Sequence, residues 1–253
     1  MIDVHFHCLP GIDDGPEGWS EAVALCRAAA AEGTTTLIAT PHILRDAWVN
    51  NDPVARDQLI LKLNTMLGGR PSVLAGCEYL FSADAIELVE RGRWGPLTYL
   101  NRTRYLLVEF PPGEIPATAE GIFHEFSLLE VIPVVAHPER NRTFAKNPER
   151  LEALVEHGAF VQITAGSLLG DFGHGPFAAC EEFFRRGLVH LVASDAHSLD
   201  HRPPRLAAAR EKVRRNWGKA AEAGIFDSNP RALLRSDPLP WTGSLLMTNS
   251  SRI

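Results

Sequence analysis

The chain lacks most of what would mark it as a secreted, membrane or nucleic-acid-binding protein. Its four cysteines, Cys8, Cys26, Cys77 and Cys180, are far apart and form no CxxC pair. A disulfide framework is therefore not legible, and a reduced, cytoplasmic setting is expected. No Lys/Arg-rich run stands out, and 25 basic against 31 acidic residues leave a formal charge of −6, so no nucleic-acid partner is expected. No apolar run is long enough to cross a bilayer, and stable membrane insertion is not expected. Asp3, His5 and His7 interrupt the first residues, which therefore do not read as a secretory leader.

Internal repeats and a Pro/Gly/Ser-rich linker are also missing from the middle of the chain. With 253 residues, 45% of them hydrophobic, one large α/β domain is favoured over two small ones. We expect it to span residues 1–241. The polar stretch 242–253 reads as a loosely held tail.

What is present is an alternation of strand-like and helix-like segments. Residues 1–4, 34–39, 72–75, 105–108, 131–136, 160–163 and 190–193 read as strands. Residues 17–31, 53–67, 117–129, 148–157, 176–186, 204–216 and 229–234 read as helices. This order predicts an α/β fold with a parallel sheet and helices outside it, plausibly closed into a barrel of seven or so repeats.

Residues able to bind metal follow nearly every predicted strand. His5 and His7 follow the first, with Asp13 and Asp14 in the loop beyond. His42, Glu78, Glu109 and His137 follow the next ones, and Asp195 and His197 follow the last. In a parallel barrel all strand C-termini open on one face, so these scattered residues would converge there. Residues two apart in a strand share a side, so His5 and His7 can serve one ion together. Each position alone is weak, since an HxH pair is often incidental and a Glu at a strand end is often a surface group. The recurrence carries the argument. Imidazole and carboxylate together suit zinc, manganese or iron, and eight or nine ligands exceed the needs of one ion. Two to three ions bridged by carboxylates are expected.

Arg140 and Arg202 follow two of these positions, where guanidinium forks could hold phosphate. His124, His157 and His190 read as structural or exposed. His174 could line a substrate loop, and His201 reads equally well as a surface residue.

Asp3-Val4-His5-Phe6-His7 with Pro10-Gly11-Ile12-Asp13-Asp14-Gly15 resembles the opening of the polymerase and histidinol phosphatase (PHP) superfamily. Further matches are Ala39-Thr40-Pro41-His42, Gly76-Cys77-Glu78, Glu109-Phe110-Pro111, Ala136-His137-Pro138-Glu139-Arg140, Gln162-Ile163-Thr164-Ala165-Gly166-Ser167 and Ser194-Asp195-Ala196-His197. The run through Asp13-Asp14-Gly15-Pro16 resembles the branch of bacterial capsular-polysaccharide tyrosine phosphatases in particular.

The resemblance implies a distorted (β/α)7, TIM-like barrel of PHP type and a trinuclear metal centre. His5, His7, Glu78 and Asp195 would hold one ion. Glu78, Glu109 and His137 would hold the second, and Asp14, His42 and His197 the third. Manganese leads, with iron or zinc as alternatives, and Asp13 is the lesser candidate of the adjacent acids. Arg140 and Arg202 match the family's phosphate-binding arginines.

The implied activity is hydrolysis of phosphotyrosine by a hydroxide bridging two ions, on a partner protein such as a bacterial tyrosine autokinase of exopolysaccharide biosynthesis. The alternatives are a small-molecule phosphomonoesterase such as histidinol-phosphate phosphatase, a nuclease of the same superfamily, and a non-catalytic metal-binding regulator. Two positions depart from the family pattern. Phe6 stands where a small polar residue is usual and is expected to reshape one wall of the site. Cys8 replaces an aliphatic residue. A thiolate phosphatase would need an arginine six residues beyond its cysteine, and that position is Asp14. Cys8 is therefore expected to pack rather than react.

Overall fold

The computed structural model describes residues 1–45, 48–92 and 95–243. Among the described residues nine strands run β1 (Ile2–Phe6), β2 (Thr36–Ala39), β3 (His42–Ile43), β4 (Ser72–Ala75), β5 (Glu78–Leu80), β6 (Tyr105–Glu109), β7 (Ile132–Ala136), β8 (Phe160–Thr164) and β9 (Leu191–Ala193). One sheet has the order β1-β2-β4 and the other β3-β5-β6-β7-β8-β9, with every pairing parallel. Only Thr40-Pro41 separates β2 from β3, and only Gly76-Cys77 separates β4 from β5, so nine segments make seven staves. The ring closes between β1 and β9: Asp195 N–H donates to the His5 carbonyl, and His7 N–H to the Ala196 carbonyl, each at 3.0 Å. The architecture is a distorted (β/α)7, TIM-like barrel, as expected.

Helices α1 (Trp19–Ala31), α2 (Pro53–Leu67), α3 (Ala85–Glu90), α4 (Ala119–Leu128), α5 (Arg142–Lys146), α6 (Glu149–Glu156), α7 (Ala165–Leu169), α8 (His174–Arg185), α9 (Leu206–Ala223) and α10 (Asn229–Leu234) connect the staves. In α1 the buried residues Ala22, Leu25, Cys26 and Ala29 lie on one face at helical spacing. In α2 the Asp52 side chain accepts from Val54 and Ala55 N–H, Pro53 supplies a preset φ, and Gly68 closes the helix in the left-handed region.

Strand alternation decides what faces the barrel axis. In β6, Leu106 and Val108 pack in the core beneath the helices, while Tyr105 and Leu107 join an inner cluster with Val134, Ala136, Leu191 and Ala193. Glu109 continues the inner row, so the apolar interior becomes polar at its C-terminal rim. In β8, Val161 and Ile163 lie in the outer core, which puts Gln162 and Thr164 on the inner row.

Two departures from the sequence expectations have physical causes. The breaks at Thr40-Pro41 and Gly76-Cys77 start new strands whose first residues are the predicted ligands His42 and Glu78. A side chain on Gly76 would lie 2.8 Å from the Ile38 side chain, so only glycine lets the two staves approach there. The helix expected over 204–216 runs on to Ala223, kinked at Gly218, whose φ of 88° is open to glycine. Trp217 beside the kink stacks on Phe184 at 3.7 Å. Trp241 is tied down by its backbone N–H to Asn229 and its indole N–H to the Val189 carbonyl. Of the expected tail, residues 244–253 lie outside the described residues.

His190 is buried at the start of β9, and its Nδ1 accepts a 3.1 Å hydrogen bond from Val161 N–H. Burial pushes its pKa down to about 4. Below an ordinary value of about 6.5 the unfolded chain gains a proton that the fold refuses, so stability falls with pH between ~6.5 and ~4. By pH 4 this single group would cost the fold roughly 3 kcal/mol. NMR titration of the His190 ring is expected to find it neutral down to near pH 4; a midpoint near 6.5 contradicts the buried acceptor role.

Candidate metal centre

All nine predicted ligands meet at the C-terminal rim of the barrel. Val4 lies in the inner cluster, and an irregular register in β1 between Asp3 and Phe6 lets the next residue, His5, also face the cluster; His7 follows two residues later on the same side. His42 opens β3 and Glu78 opens β5, and the two are direct partners in the strand register. Glu109 closes β6. His137 and Asp195 stand just past β7 and β9 with φ of 32° and 53°, left-handed values that non-glycine residues avoid. That turn aims each side chain back over the barrel mouth. Asp14 comes from the loop after β1, which folds back tightly. A Cβ on Gly15 would lie 2.9 Å from the His7 carbonyl.

Four donor atoms crowd one point. His5 Nε2 is 3.1 Å from His7 Nε2, 3.2 Å from Glu78 Oε2 and 3.2 Å from Asp195 Oδ1. His7 Nε2 is 3.3 Å from the same Glu78 oxygen and 3.6 Å from the same Asp195 oxygen. Ligands held about 2.0–2.2 Å from a shared ion stand roughly 3–3.5 Å from one another, the spacing seen here. A second group joins Asp14 Oδ1 to His197 Nε2 at 3.1 Å and to His42 Nε2 at 3.4 Å, with His7 alongside. A third joins His42, Glu78 and Glu109, and His137 groups with His5 and Asp195. His137 Nε2 also reaches Glu78 Oε1 at 2.8 Å. The ion sorting that the resemblance implies pairs His137 with Glu109; here His42 takes that place beside Glu109.

Hydrogen bonds within the protein do not use up these donors. Glu78 Oε2, Asp195 Oδ1 and His197 Nε2 are buried without a hydrogen-bond partner. Imidazole nitrogens stand 3.0–3.6 Å from the two carboxylate oxygens and Asp14 3.1 Å from His197, so these buried atoms are held by charge without well-formed hydrogen bonds, and a bound cation would satisfy them directly. Several divalent ions fit such a set of nitrogen and oxygen donors, and the clusters together are suited to more than one.

The electrostatics agree. Burial disfavours charge on Glu78, but His5, His42 and His137 overrule it and hold the carboxyl well below its usual range. Burial is likewise outweighed at Asp195 by His5, Arg202 and His197. Burial opposes charge on His5 and His42, yet Glu78 with Asp195 raises the first to about 9, and Glu78 with Asp14 the second to about 10. His197 goes the other way, to about 4, through burial and the neighbouring His7. Protons on imidazole thus balance the carboxylates where ions are absent.

A supporting layer fixes the imidazoles. Asp13 accepts from His7 Nδ1 at 2.8 Å, and from Gly15 and His42 N–H. Gln162 Oε1 lies 2.8 Å from His5 Nδ1. Each leaves the opposite nitrogen, Nε2, free for the cluster, the usual task of such partners. Asp13 thus contacts the far side of His7, while Asp14 lies within the cluster. The sequence marks Gln162 only as part of the Gln162-Ile163-Thr164 run; strand alternation between the outer-core residues Val161 and Ile163 is what turns it inward.

Arg140 and Arg202 both bind Asp195 Oδ2, Arg140 at 2.7 Å. Arg202 also stands 3.8 Å from Asp14. Arg140 lies over the ring of Phe172 at 5.1 Å. With Arg45, Glu109, Phe110, Pro112, His137 and Phe144, Arg140 lines a cavity of about 190 Å³ beside the clusters. Arg45 was not anticipated: its Nη1 donates to Glu109 Oε2 at 2.6 Å. It follows His42 by three residues, a weak signal in a loop.

Phe6 corrects one expectation. It is fully buried among Leu25, Cys26 and Leu63, on the face of β1 opposite the histidines, and forms no wall of the site. Cys8 packs in the same core, where a hydrogen bond with Cys26 and burial push its thiol well above the ordinary range. His174 is exposed at the start of α8, and His201 and His124 are exposed.

The family model for capsular polysaccharide synthesis proteins CpsB/CapC matches residues 1–235. The chain belongs to the CpsB/CapC family. It is 37% identical over 243 residues to the tyrosine-protein phosphatase YwqE of Bacillus subtilis, covering 94% of this chain and 93% of that protein. It is 28% identical over 241 residues to the tyrosine-protein phosphatase CpsB of Streptococcus pneumoniae, covering 92% and 98%. A chain from the crystal structures of YwqE and CpsB, described as unique metal-dependent tyrosine phosphatases, superposes with a TM-score of 0.88 at 37% identity, over 94% of this chain and 96% of that one.

Asp13→Asn keeps the shape of the supporter but weakens its hold on His7. Manganese affinity of the metal-free protein, measured by calorimetry, should fall by about 10- to 100-fold. Unchanged affinity would remove Asp13 from this role.

Proposed function

We infer that this protein is a metal-dependent tyrosine-protein phosphatase. The observation that carries the inference is the cluster of nine imidazole and carboxylate residues, eight of them buried and Asp14 at the exposed edge, flanked by two arginines, in a CpsB/CapC barrel. We assign His5, His7, Asp14, His42, Glu78, Glu109, His137, Asp195 and His197 as metal ligands. Two to three ions are proposed, with manganese as the working metal and iron or zinc as alternatives. Residues 1–241 are taken as one catalytic unit.

Bound ions supply positive charge to phosphoryl oxygens and bring the pKa of a water from ~15.7 toward neutrality, so that a nucleophile exists at pH 7. The chain does the rest. Arg140 and Arg202, now shared on Asp195 Oδ2, present further N–H groups toward the rim, where a phosphate dianion would take them in a bidentate grip. Such a grip neutralises charge on the equatorial oxygens as the phosphoryl group transfers. The cavity of about 190 Å³ offers Phe110, Phe144 and Pro112 to an aromatic ring beside Arg140. A tyrosine leaving group has a pKa of about 10, so its departure needs only modest acid assistance. Cys8, buried and protonated, takes no part.

The proposed substrate is a phosphotyrosine protein, specifically a bacterial tyrosine autokinase of capsule or exopolysaccharide export. Among the described residues no helix is long and apolar enough to cross a membrane. A cytoplasmic place of action is proposed to match a cytoplasmic kinase domain.

Phosphotyrosine peptide, histidinol phosphate and a dinucleotide, each assayed with manganese and with chelator, decide the reading. The peptide should be hydrolysed at least about 10-fold better in kcat/KM, with activity lost to chelator and indifferent to thiol alkylation. Preference for histidinol phosphate would move the assignment to a small-molecule phosphatase. Chelator-resistant activity abolished by alkylation would overturn the metal chemistry.

A further inference from the structure

Arg45 contacts two members of one donor group at once, Glu109 and His42, where Arg140 and Arg202 meet the outer oxygen of Asp195. Leu44, with φ of 52°, turns the chain just past β3, and a backbone pair between Arg45 and Trp48 holds the turn. The guanidinium is thereby sent back over the barrel rim. Its Nη1 lies 2.6 Å from Glu109 Oε2 and 3.1 and 3.2 Å from the two ring nitrogens of His42. His42 is backed on its ring face by Trp48, nearly parallel at 11° and 5.4 Å away. Glu109 and His42 are two of the three members of the His42–Glu78–Glu109 group.

One nitrogen therefore contacts two of the three donors that a divalent ion would need there. An ion bound to that Glu109 oxygen would stand about 2.0–2.2 Å from it. A guanidinium nitrogen 2.6 Å from the same oxygen and 3.1 and 3.2 Å from the His42 ring nitrogens stands among the donors such an ion would use and repels it in charge. The two cations exclude each other.

We propose that Arg45 is the resident cation of the Glu109–His42 position, and that a divalent ion entering there expels its guanidinium toward the cavity it shares with Arg140. The proposal rests on the metallophosphatase reading and deepens it. Arg45 already forms a wall of that cavity, opposite neither a lysine nor another acid than Glu109 among its lining residues. Once released from Glu109, it is a third guanidinium for an anionic substrate. Loading of the site and capture of the phosphate are then linked: the residue that guards the empty position becomes a binding residue when the position fills. Arg45 acts as a positioning residue in the first role and meets substrate in the second.

The test uses the full chain, stripped of metal and titrated with manganese by calorimetry. An internal competitor reduces apparent affinity by the fraction of molecules it occupies, so Arg45→Gln should bind the weakest-held ion about 10-fold more tightly. Arg45→Lys keeps the charge without the planar fork and should fall between the two. At saturating manganese, Arg45→Gln should raise KM for a phosphotyrosine peptide several-fold, on the order of one lost charged hydrogen bond, with a smaller change in kcat. Wild-type manganese affinity at every position in both variants overturns the proposal; should Arg45→Gln not fold, the Arg45→Lys titration alone decides it. Failure of the wild-type chain to bind manganese at all would instead contradict the phosphatase reading on which the proposal stands.

Discussion

The carboxylate of Glu78 sits, fully buried, among four imidazoles. His5, His7 and His42 approach one of its oxygens and His137 the other. An ionised group so deeply buried survives only if positive charge surrounds it. The rest of the rim serves that need. Protonated His5 and His42 supply the charge where ions are absent, and divalent ions do so when they bind. Metal loading therefore exchanges protons for ions.

The barrel makes such a concentration of charge possible. Each stave contributes an apolar inner row that packs below and a polar residue that ends it, so the cost of burying the rim is spread over seven staves. Left-handed backbone at His137 and Asp195 and the tight return at Gly15 are local strains accepted to aim the ligands. Asp13 and Gln162 then fix the imidazoles so that Nε2 of His5 and His7 faces inward. Arg140 and Arg202 crowd Asp195 from outside, keeping it ionised and leaving N–H groups at the mouth for a phosphate.

Much of this was legible in the sequence, because the chemistry repeats at a structural landmark. An apolar strand ending in His, Glu or Asp again and again marks one face of a parallel barrel, and all nine such residues converge. Cys8 was also read correctly, from the acid at the position where a thiolate phosphatase needs arginine. Two-residue strands such as β3 were not legible, because periodicity needs more residues than His42–Ile43 provides. Phe6, between His5 and His7, faces the opposite side of the strand and packs in the core, so it lines no wall of the site. Arg45 was invisible for another reason: it is a loop residue whose meaning comes from Glu109, 64 positions away.

The central claim is that this rim is a multi-ion centre rather than a proton-filled cluster. Counting metal by inductively coupled plasma mass spectrometry on the manganese-loaded, gel-filtered protein tests it most directly. The account predicts two to three ions per chain, as the donor number requires. A chain that retains no ion, or only one, while hydrolysing phosphotyrosine at full rate would contradict it.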